Sequence, residues 1–286
     1  MTTNSSLTIQ TGAAAWWTAL VAMTRKELTI TLRYPVEFIA SFGQVFLIVI
    51  MFTLAGLMFS RGGMANVGSG SATAGLVAYG FIPFLFLSDT LWTIGYNVRR
   101  EQKQGTLEQL YMSPASKFAS LLSRVVVTLF WSGLLSIMSV WLMGALIGRL
   151  PFDNLPLAIF ILLLSLSGTF GVGFAFAALT LRVREAGQTL ANLFQFMFMV
   201  LGAPFFPFSV LPPWLQNVAR FLPLAYCVDA FRSTLMGYPA GFPELAPIGV
   251  ELIIVVAFGA LMPPLGYWLY RMEEDRARRV GSLSEY

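Results

Sequence analysis

Six apolar runs, each long enough to cross the hydrocarbon layer of a bilayer, constrain this chain more than any other feature. They occupy residues 36–59, 74–96, 118–147, 156–181, 189–211 and 247–269. About 20 helical residues rise roughly 30 Å, the thickness of that layer. No water is available there, so each run must satisfy its own backbone hydrogen bonds and is expected to be helical. Hydrophobic residues make up 57% of the 286 and charged residues 11%, against about 25% charged in soluble domains. So few charges cannot cover a water-facing surface. The expected fold is an all-α membrane protein with six transmembrane helices and no separate soluble domain. The run at 118–147 exceeds a simple span, so its first turns are expected in water or headgroups. The run at 189–211 contains Pro204 and Pro207, which should break its outer half.

The 18 Lys and Arg residues fix an orientation. With six spans, 13 fall on the side that carries both termini, four on the other side, and Arg124 lies inside the third span. The positive-inside rule makes the termini cytoplasmic. The net charge of +4 therefore marks membrane borders, not a nucleic-acid surface. The expected location is the inner or plasma membrane of a prokaryote. The first apolar run starts late and is too long for a signal-peptide core, so insertion without cleavage is expected. There is no histidine and one cysteine, Cys227. Histidine catalysis, multi-thiol metal sites and an intrachain disulfide are excluded, and no metal is expected.

Two cytoplasmic segments carry pattern. Residues 13–33 place Trp17, Leu20, Val21, Thr24, Leu28 and Leu32 on one helical face, with Arg25, Lys26 and Arg33 elsewhere. That suits a helix lying in the inner headgroup layer; a basic unstructured tail is the alternative. The linker between the second and third spans contains Thr106 and Gln109 at capping-box spacing. Glu108 then lies in the first turn, where the helix dipole favours a carboxylate. Leu107, Leu110 and Tyr111 form an i, i+3, i+4 apolar stripe, and Ser113-Pro114 ends the helix. Such a helix presents apolar side chains either to a partner or to its own protein.

Glu101, Gly105, Thr106, Leu107 and Glu108, followed by Ser113-Pro114, resemble the Glu-x-x-x-Gly-Thr-Leu-Glu-x-Leu…Pro signature of ABC-2 type permeases. These are membrane subunits of ATP-binding-cassette exporters, including daunorubicin-type drug-resistance and nodulation-factor permeases. The resemblance extends to the interfacial helix, the six spans and the proline-broken outer segment, where Pro223-Leu224-x-Tyr226…Arg232 is similar to a family pattern. It implies that 99–116 is a coupling segment docking on a separate ATPase. Leu107, Leu110 and Tyr111 would meet that partner, and Glu101 and Glu108 would position the helix. The chain has no Gly-x-x-x-x-Gly-Lys-Ser/Thr phosphate loop. No cofactor is therefore expected on it; ATP and Mg would sit on the partner, and a second permease chain, as a homodimer, would complete the unit.

Within the spans, Asp89 and Arg124 each lie about two turns from the linker and are expected to pair. The pair would be a latch, a static neutralised contact, or an arginine reaching lipid phosphates. Asp89 is the one carboxylate clearly expected inside the membrane. Gln188, Asn192, Gln195, Met199 and Gly202 share one face of the fifth span, with Phe194 and Phe198 beside it. The resemblance places spans two and five around the translocation path, which makes this stripe the expected substrate route; ordinary helix–helix hydrogen bonding is the alternative. Ser167, Gly171 and Ala175 form a small-residue packing seam in span four. Residues 212–246 are expected to form short helices dipping back into the outer leaflet. Asp229 and Arg232 would pair there at i, i+3, as an outer gate or as a cap.

The expected function is export of an amphiphilic or hydrophobic substrate, drug-like or lipid-like, with no covalent chemistry on this chain. Export of a lipid-linked oligo- or polysaccharide is an alternative. An ATPase-independent secondary transporter is a rival that would call for ion-coupling carboxylates and often inverted repeats. A non-transporting membrane scaffold is another, but it has no need of an outward-leaning coupling helix.

Overall fold

The computed structural model describes residues 13–33, 35–61, 70–92, 117–148, 150–182 and 187–280. The described residues form helices and no strand. They are α1 (Ala13–Arg33), α2 (Pro35–Arg61), α3 (Gly70–Thr90), α4 (Lys117–Ile147), α5 (Leu155–Arg182), α6 (Gly187–Leu201), α7 (Pro213–Ala219), α8 (Pro223–Leu235) and α9 (Ile248–Val280). Three stretches are long and apolar enough to cross a membrane: Val126–Ala145, Leu155–Thr180 and Ile248–Arg276. The other three apolar runs fall on α2, α3 and α6, whose described apolar stretches are shorter.

α3 is the central helix. It is apolar all round, and from Gly75 to Leu87 every residue is buried, as expected of a helix enclosed on all sides. It packs on α2, α4, α5, α6 and α8, while α1 lies along α4. A single π turn, Leu91–Trp92, follows it. α9 runs on past the expected span end at residue 269 to Val280. The continuation, Glu273 to Arg279, is rich in good helix formers and contains no breaker.

The closest pairing joins α5 to α9, and it is built from small residues. Ser167 Oγ donates to the Gly259 carbonyl at 2.7 Å. Side chains added at Gly171 or Gly266 would overlap the backbone of the facing helix. In lipid there is no hydrophobic drive between helices, so close backbone approach supplies the dispersion and polar contacts instead. The seam expected from Ser167, Gly171 and Ala175 therefore faces α9. By contrast, the consecutive helices α4 and α5 scarcely touch.

α6 ends at Leu201, where the chain turns through Ala203 at φ +44° into Pro204. The proline-broken run is thus a 15-residue helix followed by a short 3₁₀ turn, Phe208–Val210. α7 and α8 then fold back, each opened by a proline in its first turn, where a missing N–H costs nothing.

Gly171→Leu should prevent the α5–α9 approach and destabilise the fold by more than the roughly 1–3 kcal/mol usual for overpacking. Gly249→Leu, whose added side chain meets nothing within 4 Å, should be tolerated. Thermal unfolding of the two variants in detergent, against wild type, measures the difference.

Candidate functional site

The best-defined polar site surrounds Arg232 on α8, a side chain with no exposure at all. Its origin is the break after α6. Pro204 and Pro207 lack N–H groups, so neighbouring carbonyls lose helical partners. The Arg232 guanidinium supplies them, donating through Nη1 to the Ala203 carbonyl at 3.2 Å and the Phe206 carbonyl at 3.1 Å. Its Nε and Nη2 both donate to Asp229 Oδ1 at 3.2 Å. The rings of Phe208 and Phe242 lie 5.1 and 5.2 Å from the guanidinium carbon, within range of a cation–π attraction.

Asp229, also fully buried, is held from both sides. Its Oδ2 accepts the backbone N–H groups of Glu244 at 2.7 Å and Leu245 at 2.9 Å. Glu244 approaches Arg232 at 3.9 Å and accepts the Ser209 N–H at 2.8 Å. Burial pushes the Glu244 carboxyl above its usual range, and the Arg232 charge opposes that shift. Glu251, at the start of α9, is fully buried. Its Oε1 accepts the Ala246 N–H at 3.3 Å, and Oε2 has no hydrogen-bond partner among the described residues. Asp229 and Glu244 therefore flank the guanidinium, with Glu251 an electrostatic neighbour of the pair. A cavity of about 780 Å³, bordered by Ser209, Arg220 and Glu244, lies beside the cluster. Among the described residues no group of His, Cys, Asp and Glu is placed to hold a metal.

Asp229 and Arg232 are thus an ion pair and also the centre of a larger network. Glu244 and Glu251 were missing from the sequence reading. Glu251 corrects the expectation that Asp89 is the one clearly buried carboxylate: it lies in the last apolar run, and a carboxylate there was the available signal. Cys227 is a free, buried thiol.

The second polar site lies between α3 and α6. Gln195 accepts the Trp92 indole N–H at 2.8 Å and donates to Ser88 Oγ at 2.8 Å. Its amide is thus committed to helix–helix hydrogen bonds. The rest of the stripe divides. Asn192 is exposed, Met199 is half-buried, and Phe198 is buried. Phe194 meets Phe176 of α5 edge-on at 5.8 Å. Gln188 lies in the first turn of α6, with its side chain outside the described residues.

Asp89 on α3 accepts the Ser132 hydroxyl of α4. Arg124 lies eight residues earlier on α4, roughly 12 Å by helical rise, and its side chain is outside the described residues. So is the whole linker, including Glu101, Gly105, Thr106, Leu107, Glu108, Leu110 and Tyr111.

Arg232→Met should cost about 3–5 kcal/mol, because it leaves Asp229 buried without its counter-charge. Asp229→Asn should also destabilise, and the double variant should cost less than the sum of the two. Chemical or thermal unfolding of all three in detergent tests the coupling; additive losses would contradict it.

Comparison with known proteins gives the chain its family. The model described as "ABC-2 family transporter protein" matches residues 63–267. The chain is also similar to the "Probable multidrug ABC transporter permease YbhR" of Escherichia coli strain K12, with 27% identity over 139 residues, 46% of this chain and 36% of that protein. The protein of the same name in Escherichia coli O157:H7 matches to the same extent. The chain thus spans about a third of the length of the curated relatives it matches. With the family model covering most of an apolar chain whose described elements are helices, the protein belongs to the ABC-2 family of transporter proteins.

Proposed function

We propose that this chain is the membrane permease subunit of an ATP-binding-cassette exporter, moving an amphiphilic or hydrophobic substrate outward. The observation that carries this reading is the family match over residues 63–267, which takes in both the linker and the folded-back α7–α8 segment. A separate ATPase supplies the energy, and a second copy of the chain completes the path. The termini and the linker face the cytoplasm, and the Arg232 cluster lies toward the outer surface, in keeping with the distribution of Lys and Arg. The likeness to a probable multidrug permease supports a drug-like cargo; a lipid-like cargo fits the same apolar interior.

In this reading the helix around Leu107, Leu110 and Tyr111 docks on the ATPase, with Glu101, Gly105, Thr106 and Glu108 shaping it. Motion there reaches α3 and α4, the two helices that flank the linker in sequence. The Asp89–Ser132 bond joins those helices, and Arg124 adds a charge near their linker ends. The exposed edge of α6 at Asn192 faces the path between two copies, and Gln195 fixes that edge to α3. Arg232 and Asp229 hold the α8 cap that closes the outer end. Within this cap Asp229 is partnered by Arg232 and by the N–H groups of Glu244 and Leu245.

Two experiments test this. Leu107→Asp or Tyr111→Asp should leave membrane insertion intact and cut co-purification of the ATPase severalfold or more, since an unpaired charge at an apolar interface costs several kcal/mol. Undiminished recovery would remove the docking role. In vesicles reconstituted with the ATPase, Asn192→Trp should abolish substrate efflux at normal protein level and basal hydrolysis. Ile253→Trp, at an exposed position on α9, should leave efflux near wild type. Normal efflux by Asn192→Trp would take that edge of α6 out of the path.

A further inference from the structure

Glu251 is the member of the buried cluster that the Asp229–Arg232 ion pair does not account for. It lies in the first turn of α9 with no exposed surface. Its Oε1 accepts the Ala246 N–H at 3.3 Å, while its Oε2 is buried with no hydrogen-bond partner among the described residues. Asp229 Oδ2 accepts the two preceding N–H groups, those of Glu244 and Leu245. Consecutive backbone donors thus draw the two carboxyl groups side by side, and their side chains are in hydrogen-bonding contact. A carboxylate only accepts hydrogen bonds. A bond between two carboxyl groups therefore needs a proton on one of them.

The charge balance leads to the same conclusion. Arg232 pairs with Asp229 at 3.2 Å and approaches Glu244 at 3.9 Å. Among the described residues no cation pairs with Glu251, and no group of three or more His, Cys, Asp and Glu is placed to hold a metal ion. Glu244 borders the open cavity and keeps some exposure; Glu251 has none. The other groups around it bring no positive charge. From α8, Cys227 faces it as a buried thiol. α5 packs on both α8 and α9 and has no ionisable residue from Leu155 to Leu181. α3 carries Tyr79 and Asp89, which bond the Pro151 carbonyl and the Ser132 hydroxyl instead. The start of a helix favours a carboxylate, but by less than a second unpaired charge in a buried cluster costs.

We propose that Glu251 and Asp229 form a proton-binding site, in which one proton held between the two carboxyl groups ties the start of α9 to α8. Glu251 is the acid and donates through Oε2, the oxygen left without another partner. Asp229 remains the carboxylate that Arg232 neutralises. With the proton in place the two helices are joined by a hydrogen bond to a charged acceptor, a strong one. Without it two like charges face each other where water does not reach, and the tie becomes a repulsion. The site rests on contacts within one chain and stands whether or not the chain is an exporter.

The test uses the purified full-length chain in detergent, without ATPase and without transport. Infrared spectroscopy reads the C=O stretch of a protonated carboxyl group, which lies apart from the carboxylate bands. At neutral pH wild type should show such a band, and Glu251→Gln should lack it. Glu251→Gln is the neutral mimic, since its amide can donate to Asp229 and its oxygen can accept the Ala246 N–H. It should be at least as stable as wild type at neutral pH, whereas Glu251→Met, which can do neither, should raise the unfolding equilibrium constant about tenfold or more. The sign of the pH dependence follows from the proton. The folded chain keeps it above the ordinary Glu range of about 4.3, where the unfolded chain releases it. Wild type should therefore lose stability relative to Glu251→Gln as pH rises out of that range, about tenfold in the unfolding constant per pH unit. A protonated-carboxyl signal unchanged by Glu251→Gln would overturn the proposal, as would parallel pH profiles of the two proteins. So would a Glu251→Gln chain that is less stable than wild type at neutral pH or fails to fold, because Glu251 would then act as a carboxylate.

Discussion

A guanidinium buried away from water is the constraint around which one end of this molecule is organised. Leaving a charge buried without partners costs several kcal/mol, a large part of a folded protein's net stability, so Arg232 depends on acceptors for its donors. The acceptors come from segments far apart in sequence. Asp229 lies on the same helix turn, while the Ala203 and Phe206 carbonyls come from the break after α6. Asp229 in turn ties down the N–H groups of residues 244 and 245. The network therefore solves two problems at once. It neutralises a charge, and it satisfies backbone groups that the prolines released from helical pairing.

The rest of the bundle uses a different device. α5 and α9 meet through glycine and serine at backbone distance, with the Ser167 hydroxyl crossing between them. That interface has little side-chain volume to rearrange, and it forms a stiff pair. α3 is held to its neighbours by larger apolar side chains and by single hydrogen bonds, from Ser132 to Asp89 and between Gln195, Ser88 and Trp92. Interhelical bonds of this kind are worth about 0.6–2 kcal/mol each in membrane proteins. At Gly80, α3 also lies against the Pro204 backbone, where an added side chain would overlap the carbonyl.

What the sequence made legible follows from how local each signal is. The helical state of residues 13–33 was legible because a single amphipathic stretch carries its signal. The break of the fifth apolar run was legible because proline acts on its own backbone, and the Asp229–Arg232 pair because i, i+3 residues are neighbours on any helix. What stayed hidden depends on contacts between distant segments. Glu251 finds its donor in the preceding loop and its electrostatic neighbour Asp229 22 residues back, so its place in an apolar run marks it while its partners stay hidden. Asp89 accepts a bond from Ser132, a hydroxyl that a census of charges does not register; the expected partner Arg124 has its side chain outside the described residues. The polar stripe of α6 was legible as a face, yet its members diverge. Gln195 turns to α3 while Asn192 is exposed, because the stripe sits on the boundary between buried and open surface.

These two kinds of packing restrict how a transport cycle of the proposed kind can run. α3 touches α8 directly, and α8 also packs on α5 and α9. A displacement of α3 must therefore either carry α8 with it or break the Arg232 network. Breaking the network would strand at least one buried charge, at about 3–5 kcal/mol, in addition to the carbonyls left without donors. Moving α8, the residue 203–206 turn, the residue 244–246 loop and the start of α9 together keeps these bonds, because Glu251 of α9 also accepts the Ala246 N–H. The lower-cost motion keeps this cap rigid with the start of α9, with the apolar surfaces around it sliding. In that motion the buried charges do not switch partners; they keep the cap a single body while the less polar contacts around it yield.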